Sequence, residues 1–168
     1  VGPTQITAGA QHTCALTGGE VSCWGNNSLG QLGNTTNNGT NTPNPTPTPV
    51  AGLTGVTAIA AGDFHTCAVA AGTVSCWGNN SLGQLGNTTN NGTNTANPTP
   101  TPVAGLTGVT AIAAGDFHTC AVAAGTVSCW GNNYHGQLGS TTNNSTNTPN
   151  PTPTQVLGLT GVTAITAG

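Results

Sequence analysis

The stretch "HTCAVAAGTVSCWGNN", His65 to Asn80, decides the fold of this chain, because it occurs three times. His118 to Asn133 repeats it letter for letter, and His12 to Asn27 reads "HTCALTGGEVSCWGNN". Two alternating runs, "HTCAV" and "TVSCW", flank the short turn "AAG", which is the pattern of a β-hairpin. If Ala71 and Gly72 form the turn, Val69 faces Val74 and Cys67 faces Cys76. The same count sets Cys14 opposite Cys23 and Cys120 opposite Cys129.

Outward from the hairpin the repetition continues. Equivalent Cys and Trp residues lie 53 residues apart, and Cys14–Thr66 differs from Cys67–Thr119 at only five positions. Fixed-period similarity of this kind is the mark of a repeat architecture. "GVTAIAAG" (Gly55 to Gly62) is a β-branched run bounded by glycine, hence a strand. "GNNSLGQLGN" is dense in Gly and Asn and reads as turns. The Asn/Thr/Pro stretches at 34–49, 87–102 and 140–154 read as long polar loops, and "PVAGL" after them as a short edge strand. No segment carries a helical apolar period. The expected class is all-β: tandem antiparallel sheets in units of about 53 residues, approximately 6–58, 59–111 and 112–164, with the start of a fourth. Gly168 is in phase with Gly9, which suggests an array that continues.

The recurring "AAGDFHTCAV … VSCWGNNSLGQLG" resembles the repeat of the regulator of chromosome condensation family, with its Gly-x-x-His-Thr strand, Trp-Gly strand end and Gly-Gln-Leu-Gly turn. The resemblance implies β-propeller blades, one per repeat and usually seven to a ring, in what looks like a secreted, bacterial-like version. Three blades do not close such a ring, so the arrangement is either propeller-like or an open stack. The family's nucleotide exchange and chromatin contact depend on charged and basic loops, and the resemblance does not carry those activities here.

Composition explains why. The chain has no Lys or Arg, and its only acids are Glu20, Asp63 and Asp116. Nucleic-acid binding uses basic side chains to neutralise phosphates, and attraction to anionic membranes uses the same groups. Neither class of partner is expected, nor is membrane insertion, since no apolar run reaches the roughly 18 residues of a spanning helix. With six aromatic residues, the chain must draw stability from staples or repetition.

The Cys pairs are the candidate staples. Four rungs from a two-residue turn, each pair is of the non-hydrogen-bonded kind, with Cα atoms about 4.5 Å apart, close enough for a disulfide. Cross-strand bridges Cys14–Cys23, Cys67–Cys76 and Cys120–Cys129 are the favoured reading, and they point to an extracytoplasmic setting. A zinc site is disfavoured, because its cysteines generally stand two to four residues apart; a His-Cys-Cys cluster using His65, and reduced thiols, are the other readings. No metal or cofactor is expected. His12, His65 and His118 lack a constant acid partner: Asp63 and Asp116 precede two of them, but Ala10 stands in the first copy. Each imidazole is therefore expected to bond a neighbouring turn, and Trp24, Trp77 and Trp130 to pack blade on blade. His135, in place of a repeat Leu, reads as surface drift.

Asn-x-Ser/Thr triplets occur at Asn26, Asn34, Asn38, Asn79, Asn87, Asn91, Asn143 and Asn144. They stand beside Thr/Pro runs like those of O-glycosylated stalks. Covalent glycans would solvate a surface with almost no charge. The sequence thus points to a non-catalytic, extracellular or cell-surface structural protein, whose near-identical units stack head to tail with copies of itself into a filament or array. The alternative is a fragment of a secreted propeller that grips a protein or glycan ligand. No acid/base pair, nucleophile constellation or phosphate loop argues for an enzyme.

Overall fold

The computed structural model describes residues 2–168. Twelve strands and no helix occupy them: β1 (Gln5–Ala8), β2 (His12–Thr17), β3 (Glu20–Gly25), β4 (Asn44–Pro49), β5 (Val56–Ala61), β6 (His65–Ala70), β7 (Thr73–Gly78), β8 (Asn97–Pro102), β9 (Val109–Ala114), β10 (His118–Ala123), β11 (Thr126–Gly131) and β12 (Asn150–Gln155). They form three four-stranded antiparallel sheets in the orders β1-β2-β3-β4, β5-β6-β7-β8 and β9-β10-β11-β12. Each sheet is a blade. The inner strands β1, β5 and β9 are neighbours in turn, and the blades do not close into a ring.

The central hairpin of each blade has the register its sequence dictates. Val69 pairs with Val74 and Cys67 with Cys76, and the other two copies match. The turn residues Ala71 and Gly72 have φ of 49° and 75°. Positive φ at both central positions is what a tight two-residue hairpin requires. Gly18–Gly19 and Ala124–Gly125 do the same, so "TGGE" and "AAGT" are interchangeable as turns.

The Asn/Thr/Pro stretches are not loops throughout, which corrects the sequence reading. Asn44–Pro49, Asn97–Pro102 and Asn150–Gln155 are the outer strands of the blades, whereas the "VAGL" segments that follow are turns and coil. The reason lies in the phase of the prolines. Val50 N donates to Val21 O and Thr48 pairs with Cys23, so alternate residues face the ladder and Pro45, Pro47 and Pro49 face away. Proline lacks an N–H, and an edge strand asks for none on its outer side. Cuts at 58/59 and 111/112 also fall inside β5 and β9, so the blades start slightly earlier than the periods counted from the sequence.

The core lies between blades rather than within them. Leu32, Val50, Val21 and the Cys14–Cys23 pair of the first blade pack with Ile59, Ala68 and Trp77 of the second. The second and third blades repeat this with Leu85, Val103, Val74, Ala121 and Trp130. Trp77 and Trp130 have no exposed surface. Three small sheets, each too thin to bury a core alone, obtain one by stacking.

Candidate functional site

Each hairpin carries a disulfide on its fourth rung. Cys14–Cys23, Cys67–Cys76 and Cys120–Cys129 are bonded, with Cα atoms 4.1 Å apart in all three. The sulfurs thus bond to one another, and among the described residues no group of three His, Cys, Asp or Glu is placed to hold a metal ion. A bridge that closes so short a loop constrains the unfolded chain by about 2–3 kcal/mol. Replacing Cys67 and Cys76 together by Ala is expected to cost that much. Urea unfolding under non-reducing conditions measures it, and an unchanged midpoint would show the bridge to be dispensable.

The most elaborate polar arrangement sits where blades meet. The side-chain amide of Gln31 donates to Asn26 Oδ1, and its Oε1 accepts from Leu29 N, so the "GQLG" turn is tied to itself. Its backbone carbonyl is thereby presented to the next blade, where it accepts from Thr66 Oγ1 at 2.9 Å and from Trp77 Nε1 at 3.0 Å. With its proton given to Gln31, the Thr66 hydroxyl accepts from His12 Nε2 at 2.8 Å. The second junction is the same: Thr119 Oγ1 and Trp130 Nε1 donate to Gln84 O, and His65 Nε2 donates to Thr119 Oγ1. Gln31, Gln84, His65, Thr66 and Thr119 are fully buried. Backbone bonds add to each junction: Ala10 N to Asp63 O, Asp63 N to Asp116 O, Asn97 N to Leu29 O and Asn150 N to Leu82 O. Since the Asp positions join blades through the main chain, Ala10 serves as well as Asp.

This network fixes His12 and His65 as neutral Nε2–H tautomers. Their Nδ1 atoms are buried without a partner in His12 and His65, pressed against Gly9 and Gly62. Burial lowers the His12 pKa to about 4. It lowers that of His65 to about 3, with smaller contributions from His12 and His118. His118 is lowered by burial and partly restored by Asp116. Burial, and next the charge of Asp116, pushes Asp63 up. A neutral base in the folded state means that the unfolded chain binds the proton first. Stability is therefore complete above the unfolded value of 6.5 and falls as pH drops toward about 4 and 3. The decline reaches at most about 1.4 kcal/mol per pH unit for each histidine. Urea midpoints between pH 7 and pH 4 should fall steadily, with a shallower slope in His65→Gln; a flat profile would refute it.

The Asn-x-Ser/Thr triplets divide into classes. Asn26 and Asn79 accept from the Ser two residues on and from Gln31 or Gln84, and donate to Asn41 and Asn94. Asn34 and Asn87 cap the turn that follows them, and Asn143 donates to Asn150. Asn38, Asn91 and Asn144, equivalent positions on the rim loops, make no side-chain hydrogen bond among the described residues. A triplet scan cannot separate an Asn spent on a turn from one left over.

His135 is exposed beside Tyr134, their rings edge to face at 4.9 Å. The two replace Ser-Leu of the other copies and border a recess of about 610 Å³ that also includes Asp116, Phe117, His118, Asn132 and Gln137. The imidazoles were expected to bond a neighbouring turn, but those of His12 and His65 bond Thr66 and Thr119, on strands of the next blade; Trp77 and Trp130 do lie at junctions, while the roles of Thr66, Thr119 and the Gln31 and Gln84 carbonyls were not foreseen. Their recurrence at the 53-residue period was the only signal available.

Residues 18–69, 71–122 and 124–168 match the pattern described as the Regulator of chromosome condensation (RCC1) repeat. A second pattern of that description matches 4–31, 56–84 and 109–137. The Ultraviolet-B receptor UVR8 of Arabidopsis thaliana is 37% identical over 142 residues, covering 80% of this chain and 30% of the receptor. The E3 ubiquitin-protein ligase HERC2 of Homo sapiens is 40% identical over 126 residues, 71% of this chain and 2% of the ligase. In three dimensions the chain is similar to Prp20p from Saccharomyces cerevisiae, with a TM-score of 0.80 and 24% identity over 98% of this chain and 41% of that one. The chain therefore spans less than a third of the sequences of the ultraviolet-B receptor and of HERC2.

Proposed function

The chain belongs to the regulator of chromosome condensation repeat family, and we propose that it works as stacked scaffolding without catalysis, in a secreted form. In this reading it is a disulfide-stapled structural subunit, extracellular or on a cell surface, that joins head to tail with copies of itself into a filament or array. The observation that carries the reading is the junction made twice from the same atoms. Gln31 with Thr66 and Trp77 recurs as Gln84 with Thr119 and Trp130, and a junction that repeats can propagate. Three buried disulfides and the absence of Lys and Arg, which denies trypsin any site, suit a durable extracellular material.

Light scattering together with negative-stain microscopy tests it. Elongated particles whose mass rises with concentration are expected, and compact single-chain particles at every concentration would overturn it. Glycans belong to the same proposal, carried on the rim loops at Asn38, Asn91 and Asn144, whose side chains the turns do not consume. Peptide mass mapping of chain from a glycosylating host should find sugar there and not at Asn79, which is buried; occupancy at Asn79 would contradict it.

A further inference from the structure

The outer strands interleave threonine with proline, the composition of O-glycosylated stalks, and the two threonines of each strand differ. Thr48, Thr101 and Thr154 spend their hydroxyls on the carbonyls of Thr46, Thr99 and Thr152, two residues earlier. Thr46, Thr99 and Thr152 are exposed, and their own hydroxyls have no hydrogen-bond partner among the described residues. Each lies in a Pro-Thr-Pro triplet on a strand that is already extended and open on its outer side. An enzyme can therefore reach the hydroxyl without unfolding the blade.

Two of these threonines also border a recess between consecutive blades. Thr99, with Pro98 and Pro100, faces Asn34, Thr35 and Ala51 of the first blade across a space of about 250 Å³. Thr152, with Pro151 and Pro153, faces Asn87, Thr88 and Ala104 of the second across about 280 Å³. Both walls of each recess lie within the chain. No lining side chain is charged, so an ionic ligand would find no counter-charge. The volumes fall below the roughly 300–1,000 Å³ of pockets for drug-sized ligands and suit a single neutral monosaccharide. The prolyl rings offer it an apolar surface. Asn34 Nδ2 donates to no group among the described residues, and Asn87 Nδ2 is buried without an acceptor, a state that buried polar groups rarely keep.

We propose that Thr99 and Thr152 are O-glycosylation sites whose first sugar lies in the recess and ties one blade to the next. The proposal rests on the secreted, glycan-bearing reading and adds a second kind of linkage to its rim-loop sites. In the transfer, the threonine oxygen bonds to the anomeric carbon of a glycosyl phosphate donor. The bond from that carbon to the phosphate oxygen breaks, the phosphate leaves with the electron pair, and the hydroxyl proton passes to a base of the transferase. The attached sugar then lays its ring on the prolines and turns hydroxyl oxygens toward the Asn34 or Asn87 amide.

Chain secreted by animal cells, which attach both N- and O-linked sugars, tests it. Peptide mapping by a fragmentation that keeps each sugar on its residue should find Thr99 and Thr152 occupied and Thr101, whose hydroxyl is engaged, bare. Replacing Thr99 and Thr152 together by Val should then lower the folding equilibrium constant about fivefold for each sugar lost, the net worth of one hydrogen bond. Urea unfolding of the two secreted chains measures it. Chain made without sugar in a bacterial periplasm is the control: there the same double substitution should leave the midpoint unchanged, because the hydroxyls have no partner to lose. Sugar on Asn38 and Asn91 with both threonines bare would overturn these sites and leave the rim-loop glycans standing, whereas sugar at neither would overturn both. Occupied threonines with no difference in stability would overturn the seat between the blades.

Discussion

Trp77→Ala is expected to lower the stability of the chain by about 3–5 kcal/mol, whereas Trp24→Ala should cost less than half of that. The two tryptophans occupy equivalent positions next to a disulfide at the end of a hairpin. Trp77 is wholly buried between Leu32 and Val50 of the preceding blade, and its Nε1 donates to the Gln31 carbonyl. Truncation removes the largest side chain of that junction, opens a cavity bordered by two blades, and leaves Gln31 O with only Thr66. Trp24 is half-exposed, and among the described residues no blade covers it, so its loss from this chain removes far less contact. Stability of a natural domain is about 5–15 kcal/mol, and the first change therefore takes a large share of it. Urea unfolding of the two variants beside wild type measures the contrast. Equal losses would mean that the junction contributes no more than a single blade does.

Gly62→Ala should be still more damaging, above about 4 kcal/mol, a loss that single substitutions rarely reach. Gly62 has an ordinary φ, so its backbone does not demand glycine. What demands it is space. A Cβ there would stand 2.2 Å from His65 Cε1 and 2.3 Å from the carbonyl oxygen of Gly115 in the next blade. The ring cannot swing aside without releasing Thr119, and the carbonyl belongs to a main chain already fixed by the junction. Gly55→Ala is the control: its φ is +64° with nothing within 4 Å, so it incurs only the left-handed strain of about 1–2 kcal/mol. Adding His65→Ala to Gly62→Ala should recover part of the loss but not all, because the Gly115 oxygen remains. A Gly62→Ala chain as stable as Gly55→Ala would refute the close approach.

These two positions also show what could be read beforehand. The hairpin, its register and its disulfides depend on neighbours in sequence, on a two-residue turn and a period of two, and so they were legible in "HTCAVAAGTVSCW". The repeat placed Trp77 at a junction correctly. The spacing of Gly62 and His65 was equally visible, but its cause was not, because the atom that excludes a side chain there belongs to another blade. The Gln31 and Gln84 acceptors were hidden for a related reason. They are backbone carbonyls, aimed by a turn whose geometry comes from Asn26 and the Gln side chain itself. The Asn/Thr/Pro stretch misled through composition: proline argues against a strand only where both edges must be paired, and β4, β8 and β12 each have a free one.

That free edge has a consequence for how the molecule meets its neighbours. An exposed strand normally offers a row of amide protons on which any other strand can crystallise. On β4 the outward positions are Pro45, Pro47 and Pro49, which have no such proton to offer. The outer edges of β4 and β8 are thus poor templates for sideways fusion into continuous sheet, the route by which β-rich chains become amyloid, and β12 differs only in carrying Gln155 at its third outward position. The proline rim turns the outer edge of the blade from a template into a boundary.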